Sequence, residues 1–250
     1  TFDMYQFFAN LNSISIEEAP LKAENNFVLE IDDLIDAITV KTKLVFISTP
    51  NNPCGSSTTI NDITSVLEAV KDNAIVVVDE AYIEFSSIES MIKEIRNHEN
   101  LIVLRTLSKA FSLAGARCGA MISSAEGIDL LKKTAPPFSF STPTINHIES
   151  VLSSNDIKAN NRHIKNIVIQ RERLKKSLLT LACVDKVWKS DGNFLLVRFK
   201  NTNSILNALE ENQILVGQIK NSDTLKDCLR ITVGNSEENK KLIEAISSII

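Results

Sequence analysis

Short apolar runs alternate with amphipathic stretches along the chain up to about residue 125. Three of these runs, Leu44–Ser48, 74–78 and 101–104, are rich in β-branched residues and lack polar alternation, which is typical of strands covered on both faces. Between the first two runs, apolar residues recur at helical spacing over 60–70. This order of strand, helix and strand predicts an α/β layer built on a parallel sheet.

Three further patterns lie in the same part of the chain. Met4–Leu11 has the character of a helix, 89–95 is a weaker helix candidate, and 118–122 predicts one more strand. The chain begins with Thr1 rather than methionine, and we expect that a segment upstream has been removed, cleaved or left out.

The second half of the chain begins after the pair Pro136-Pro137. From about residue 144 to residue 181 there is no glycine or proline and many charges, which predicts two helices or one long bent helix. We interpret the charged run 171–176 within it as a solvated helix face. The remaining residues predict strands at 186–189, 194–199 and 229–233 and helices at 204–212 and 236–249, the last starting at Ser236 with Glu238 and Asn239.

These elements predict an α/β protein with two domains and a helical connection. We predict a large α/β domain over 1–143, without its N-terminal part, with a mostly parallel sheet and helices on both faces. A helical segment over 144–182 follows it, and 183–250 form a smaller α+β C-terminal domain. At 250 residues the chain is long enough to bury a large core.

Composition and charge argue against several classes of partner. The chain has 44% apolar and 23% charged residues, as ordinary soluble proteins do. Its net charge is −4 and it has no basic block, so we expect no nucleic acid and no anionic membrane as its main partner. No apolar run approaches the length of a membrane span and no signal-peptide pattern opens the chain, so we expect a cytoplasmic protein.

The cysteines and histidines show neither a disulfide framework nor a metal site. Cys54, Cys118, Cys183 and Cys228 are widely spaced and form no Cys-x-x-Cys pair, which favours free thiols in a reducing compartment. The three histidines have no metal-ligand spacing with each other or with the cysteines, so we expect no bound metal.

Unusual polar residues follow the predicted strands. Lys109 closes the segment Arg-Thr-Leu-Ser-Lys after one strand, Asp79 ends another, and Asn52 lies in a Pro-Asn-Asn-Pro turn after a third. Ligands of open α/β sheets bind beyond the carboxyl ends of the strands, so we expect these residues to meet in one crevice. A lysine at the mouth of a buried strand can be desolvated, which favours the free amine and its Schiff base with an aldehyde.

The polar residues at these strand ends match the groups of one cofactor. An aldehyde suits the lysine amine, a cationic ring nitrogen suits the carboxylate, a hydroxyl suits an amide or a phenol, and an anion suits a hydroxyl with a guanidinium. Pyridoxal phosphate presents all four groups. Lys109 would meet the aldehyde and Asp79 the ring nitrogen. Asn52 and Tyr82 would meet the hydroxyl, and Ser108 and Arg117 would meet the phosphate.

Each of these residues taken singly has a more ordinary explanation. Asp79 could cap the helix that follows, Arg117 could form a structural ion pair, and Tyr82 could be a core aromatic. Their common order and spacing along the chain favour the cofactor interpretation.

Four segments resemble known aminotransferases in order and spacing. They read Ser-Thr-Pro-Asn-Asn-Pro-Cys-Gly at 48–55, Val-Asp-Glu-Ala-Tyr-Ile-Glu-Phe at 78–85, Arg-Thr-Leu-Ser-Lys-Ala-Phe-Ser-Leu-Ala-Gly-Ala-Arg at 105–117 and Leu-Arg-Ile-Thr-Val-Gly at 229–234. Together with Asn193-Phe194 they make nearly the whole chain similar to the fold-type I aminotransferases. Among these it most resembles the histidinol-phosphate aminotransferases.

The resemblance implies a cofactor, a reaction and a role for each site residue. It implies a pyridoxal-phosphate-dependent homodimer that transfers an amino group from histidinol phosphate to 2-oxoglutarate in histidine biosynthesis. Lys109 would be the Schiff-base lysine and Asp79 the partner of the pyridine nitrogen. The other implied roles are Asn52 and Tyr82 on the phenolic oxygen, Asn52 also beside the substrate, Ser108 and Arg117 on the phosphate, Phe2 stacked on the ring, and Arg230 on the anionic end of the substrate.

Three departures from the family pattern bear on activity and substrate. Family members carry roughly a hundred further residues upstream, so we expect these 250 residues alone to bind the cofactor weakly. Gly217 stands where the family often has a second phosphate-binding arginine, and Lys220 would be a poorer substitute. Cys54 replaces the usual threonine of the Asn-Pro-x-Gly turn, which is a small change.

Several other functions stay open at this point. Enzymes of the same scaffold act on other phosphorylated amino alcohols, on aromatic amino acids or as decarboxylases, and they differ in substrate-facing residues rather than in Lys109 or Asp79. A transcription regulator that senses ligand with an aminotransferase-like domain would carry a basic helix-turn-helix upstream. An inert structural fragment would bind no cofactor.

Overall fold

The first sheet contains the strands predicted in the first half of the chain. The computed structural model describes residues 1–219 and 222–248, without the side chains of 154–156. In spatial order these strands are β1 (Leu44–Ser48), β2 (Ile75–Asp79), β3 (Leu101–Thr106) and β4 (Gly119–Ile122). The strands β1, β2 and β3 run parallel, and β4 is antiparallel to β3, which confirms a mostly parallel sheet.

Helices of the first half flank this sheet. They are α1 (Met4–Leu11), α2 (Ile31–Asp36), α3 (Ile60–Ala69) and α4 (Ala125–Lys132). The Thr59 side chain caps α3 by accepting from the Asp62 amide at 3.2 Å. The weak candidate at 89–95 is a 3-10 turn over Met91–Glu94 rather than an α-helix. The short α2 and the glycine-containing α4 were not predicted because neither carries a long apolar stripe.

The core of the first sheet lies on the side where α3 packs. Buried residues of α3 meet buried residues of β1 to β3 there. On β1, Val45 and Ile47 are buried while Leu44 and Phe46 are 48% and 44% exposed. The described residues therefore cover β1 on one face, whereas the apolar run had predicted cover on both.

The second half folds as two helices and a second sheet. The helices α5 (Thr142–Val151) and α6 (Ser154–Leu178) confirm the two-helix alternative. The sheet is antiparallel, in the order β5 (Val184–Val187), β6 (Phe194–Phe199), β8 (Cys228–Thr232) and β7 (Gly217–Gln218). The helices α7 (Thr202–Glu211) and α8 (Ser236–Ser247) share its core.

Several details of this half differ from the sequence predictions. β5 lies two residues earlier than expected, and the two-residue β7 has no apolar pattern that would reveal it. α8 is capped by Asn235 rather than Ser236, through a capping box with Glu238. The predicted end of α8 at residue 249 and the suggested substitute Lys220 lie outside the described residues.

The charged run 171–176 is only partly the solvated face that was predicted: Glu172, Arg173 and Lys176 are exposed, whereas two other residues of the run are buried. Arg171 and Leu174 are 6% and 2% exposed, and Leu174 belongs to the core of the second sheet. The Arg171 guanidinium donates from Nη1 to the carbonyls of Phe85, at 3.2 Å, and Gly192, at 2.8 Å. Since Phe85 lies between β2 and β3 of the first sheet and Gly192 precedes β6 of the second, this side chain joins the two sheets. The boundaries 143, 182 and 183 stay a prediction.

The buried contact of Arg171 predicts a large effect on stability. Arg171→Met would leave two buried carbonyls without their donor, and we expect the free energy of unfolding to fall by about 2–4 kcal/mol. Arg173→Met, on an exposed position of the same helix, should change it by less than about 0.5 kcal/mol. Urea denaturation of both variants measures the difference. Equal losses would show that Arg171 does not join the sheets.

Candidate active site

The candidate site lies where three parallel strands end side by side. Ser48 on β1 is the register partner of Asp79 on β2, and Asp79 is the partner of Leu104 on β3. The segments that follow these residues therefore leave the sheet at one edge. They carry Asn52, Tyr82 and Lys109, so these three residues follow strands that end at the same edge of the sheet.

Asp79 is held by one backbone donor and one tyrosine. Its Oδ1 accepts from the Ala81 amide at 3.0 Å, and its Oδ2 accepts from the hydroxyl of Tyr5. The Tyr5 ring stacks on Phe46 at a centroid distance of 4.9 Å. Burial, and then the negative charge of Asp79, raise the pKa of the Tyr5 phenol. Sequence reasoning missed Tyr5 because 74 residues separate it from Asp79.

Phe2 lies at the open side of this cluster. It is 43% exposed and meets the Tyr5 ring edge to face at 5.6 Å. Phe2 thus contacts Tyr5, and it is Tyr5 that binds the Asp79 carboxylate directly.

Tyr82 brings residues of the second sheet into the site. It is buried and its ring meets Phe194 edge to face at 5.1 Å. Its hydroxyl accepts from Nη2 of Arg230 at 3.2 Å, across 148 residues of sequence. The Nε of Arg230 is buried and has no hydrogen-bond partner among the described residues. A buried guanidinium donor without a partner is suited to an anionic ligand.

Lys109 occupies the predicted place but not the predicted environment. β3 ends at Thr106, and the following loop carries Lys109 past the sheet edge, where it is exposed. Its Nζ lies 5.6 Å from the centroid of the Tyr82 ring. The expectation that the strand mouth alone desolvates this amine is therefore wrong for the described chain, since Lys109 is exposed to solvent.

The turn after β1 is packed tightly against the second sheet. Gly55 has φ +78°, and a Cβ at this position would lie 2.3 Å from the Oγ of Ser190. The Asn51 side chain donates to the Thr1 hydroxyl at 3.2 Å, while its Oδ1 is buried without a partner among the described residues. Asn52, the predicted cofactor ligand, is half-buried in the same turn.

Ser108 and Arg117 flank the loop that carries Lys109. The half-buried Ser108 donates its amide to the Thr106 hydroxyl at 3.1 Å. Arg117 is exposed, has φ +52°, and donates from Nη1 to the Ala114 carbonyl at 2.9 Å. Most of the five guanidinium donors of Arg117 thus remain available to an anion at this edge.

The comparison with known families agrees with this arrangement. The sequence model of the family "Aminotransferase class I and II" matches residues 1–246. The chain belongs to this family. A histidinol-phosphate aminotransferase of Francisella philomiragia is 41% identical over 249 residues, which are 100% of this chain and 68% of that relative.

Solved structures of the same fold include enzymes with different reactions. A histidinol-phosphate aminotransferase of Sinorhizobium meliloti, in complex with pyridoxal-5'-phosphate, aligns with TM-score 0.87 and 21% identity, over 99% of this chain and 67% of that one. An L-threonine-O-3-phosphate decarboxylase of Porphyromonas gingivalis aligns with TM-score 0.83 and 20% identity, over 99% and 74%. At these identities the likeness shows the fold-type I architecture, which is the predicted fold class.

A network of ion pairs around a buried glutamate lies next to Asp79 in the site of this aminotransferase. Glu80 is 1% exposed, and its oxygens accept from the Ser90 hydroxyl at 2.6 Å and the Met91 amide at 2.7 Å. Arg105 on β3 bridges Glu80, at 3.4 Å, and Glu84, at 2.5 Å. Burial raises the pKa of Glu80, although its hydrogen bonds and Arg105 act in the opposite direction. The network ties the segment that carries Tyr82 to the strand that leads to Lys109.

The thiols of the aminotransferase are free, as predicted. Cys54 and Cys228 are buried, and burial raises the pKa of Cys54 to about 12. Within the described residues, histidines, cysteines and carboxylates form no cluster that could hold a metal ion. None of the described helices has the length and apolar character needed to cross a membrane.

Proposed function

We propose that this aminotransferase uses pyridoxal 5'-phosphate to transfer the amino group of histidinol phosphate to 2-oxoglutarate. The products would be imidazole-acetol phosphate and glutamate. The observation that carries the proposal is the meeting of Asp79, Tyr82, Lys109 and Arg230 at one sheet edge. The substrate comes from the name of the relative that is 41% identical.

The residues present fit the cofactor. Asp79 offers a carboxylate to the pyridine nitrogen, and Tyr82 with Asn52 offers donors to the phenolic oxygen. The unpartnered Asn51 Oδ1 and Arg230 Nε support a polar ligand between the turn after β1 and β8. Ser108, Arg117 and Phe2 would meet the phosphate and the ring face. When bound, the cofactor supplies an electron sink for the bond that breaks at the substrate Cα.

The side chains divide the work of the reaction between them. Lys109 would hold the cofactor through its amine and, when the substrate has taken its place, would accept the proton from the substrate Cα. Asp79 would hold the ring nitrogen in its cationic form, since a carboxylate stabilises an adjacent cation. Arg230 holds the anionic end of the amino donor and, in the second half of the reaction, a carboxylate of the 2-oxo acid.

The substrate is the least constrained part of the proposal. Gly217 lies opposite Arg230 in the register of β7 and β8, so this flank of Arg230 offers no side chain to a phosphate. An aromatic amino acid, another phosphorylated amino alcohol or a phosphorylated amino acid to be decarboxylated are the alternatives on the same site. A ligand-sensing domain of a transcription regulator is the alternative of another class.

We also propose a cytoplasmic homodimer. Exposed apolar side chains along and after α1, at Phe7, Phe8, Leu11 and Ile14, support burial against a second subunit. The free thiols support a reducing compartment.

A substrate panel tests the reaction and the substrate together. With the full-length protein, pyridoxal phosphate and 2-oxoglutarate, we expect histidinol phosphate to be preferred over aromatic amino acids by at least about a hundredfold in kcat/KM. Glutamate formation measures each rate. Faster turnover of aromatic amino acids would make the substrate assignment wrong and leave transamination intact. No glutamate from any donor would favour the regulator or the inert fragment.

A further inference from the structure

Phe194 lies directly beneath the guanidinium of Arg230. The distance from Cζ of Arg230 to the centroid of the Phe194 ring is 4.1 Å, which is within the range of a strong cation–π contact. Leu196 of β6 is the register partner of Arg230 on β8, so Phe194 is its diagonal neighbour on the same sheet face. The strand pairing itself therefore places the ring against the guanidinium.

Phe194 is the one aromatic support of Arg230 within the second sheet as described. On the other flank of β8, Gly217 pairs with Arg230 and offers no side chain. The Tyr82 ring lies farther away, at 6.0 Å from Cζ, and contacts Arg230 mainly through its hydroxyl. Two contacts thus orient the guanidinium: the face of the Phe194 ring and the hydrogen bond that Nη2 donates to Tyr82.

The position of Phe194 is fixed by its own surroundings. The side chain is 0% exposed and its ring meets Tyr82 edge to face at 5.1 Å. Gly192 leaves room for it, because a Cβ there would lie 2.8 Å from Cε1 of Phe194. The Gly192 carbonyl is in turn held by buried Arg171 at 2.8 Å. A ring held this firmly can act as a fixed platform.

We propose that Phe194 is a positioning residue that orients Arg230 for the carboxylate of the 2-oxo acid. The proposal rests on the proposed transamination and adds a residue to which that function assigned no role. With the ring in place, Nη2 of Arg230 donates to the Tyr82 hydroxyl, and Nε, which has no partner among the described residues, is a donor suited to an anion. Without it, the guanidinium loses its platform and the carboxylate must bind to a side chain that first has to be ordered.

The test replaces the aromatic face and keeps an apolar side chain. In the full-length enzyme loaded with pyridoxal phosphate, Phe194→Leu should raise the KM for 2-oxoglutarate roughly tenfold and change kcat by less than about threefold. The dissociation constant of glutarate, a dicarboxylate that cannot be transaminated, should rise by the same factor. Phe194→Met, which fills a similar volume without a ring, serves as the second variant if the leucine variant folds poorly.

Phe199→Leu is the matched control. Phe199 is 1% exposed on the same strand and belongs to the core of the second sheet, away from Arg230. We expect it to lose stability as Phe194→Leu does while its KM for 2-oxoglutarate stays at the wild-type value. In a double-mutant cycle, Phe194→Leu should add little to Arg230→Lys, because both act through one guanidinium.

The outcomes separate this inference from the function on which it rests. Equal KM changes in the Phe194 and Phe199 variants, or unchanged glutarate binding in Phe194→Leu, would overturn the positioning role alone. A wild-type enzyme that binds no dicarboxylate and uses no 2-oxo acid would overturn the proposed function and the inference together.

Discussion

Replacing Lys109 with alanine is expected to lower kcat/KM for transamination by about a thousandfold or more, because one amine both binds the aldehyde and carries the proton. The fold should hardly change. Lys109 is exposed, and its Nζ lies 5.6 Å from the centroid of the Tyr82 ring, a distance at which exposed cation–π pairs contribute about 0.5–1 kcal/mol. Steady-state kinetics and thermal unfolding of the same preparation measure both effects.

The covalent role of Lys109 has a separate chemical readout. Borohydride reduction of the loaded wild-type enzyme should fix the cofactor on the peptide that contains Lys109, and mass spectrometry should find no such mass in the alanine variant. Lys132→Ala is the control, since Lys132 is a surface lysine paired with Asp129 at 3.1 Å. A cofactor fixed on another peptide of the Lys109 variant would refute the assignment.

Replacing Asp79 with asparagine is expected to lower kcat/KM by about a hundredfold. The carboxylate lies at the end of β2 and would pair with a cationic ring nitrogen, and removal of one partner of a buried charge pair costs about 2–5 kcal/mol. Asparagine keeps the shape and can still accept the Ala81 amide bond. Kinetics with a fixed donor, and the concentration of pyridoxal phosphate needed for half-maximal binding, measure the loss.

Tyr5→Phe separates the charge of Asp79 from its tyrosine contact. Phenylalanine keeps the stack on Phe46 and removes the hydroxyl that donates to Asp79. The loss of one hydrogen bond should change kcat/KM by less than about tenfold. If Tyr5→Phe and Asp79→Asn lowered kcat/KM equally, the carboxylate would act by holding Tyr5 and not by pairing with the cofactor.

The motif residues of this aminotransferase were the part of the site most open to sequence reasoning. The carboxyl ends of parallel strands meet at one edge, so Asn52, Tyr82 and Lys109 could be placed together from local patterns alone. Their roles toward the cofactor stay predictions. The contact of Arg230 with Tyr82 extends the same site across 148 residues.

Burial was harder to predict than position. Lys109 is exposed although its strand is buried, because the loop after Thr106 carries it beyond the edge of the sheet. Arg171 is buried although its neighbours are charged, because α6 turns that side chain toward the carbonyls of Phe85 and Gly192. Composition reports how polar a segment is, whereas burial depends on what packs against each side chain.

The sequence by itself determined the strands β1 and β6, the helix α1, the family and the list of candidate site residues. These depend on local periodicity and on short motifs, which a single stretch of chain carries whole. Only the tertiary structure decided that Tyr5 binds Asp79, that Arg105 bridges Glu80 and Glu84, and that Phe194 supports Arg230. Each of these contacts joins residues on separate elements. Such a contact forms only when the chain folds, so the pattern of one short segment does not predict it.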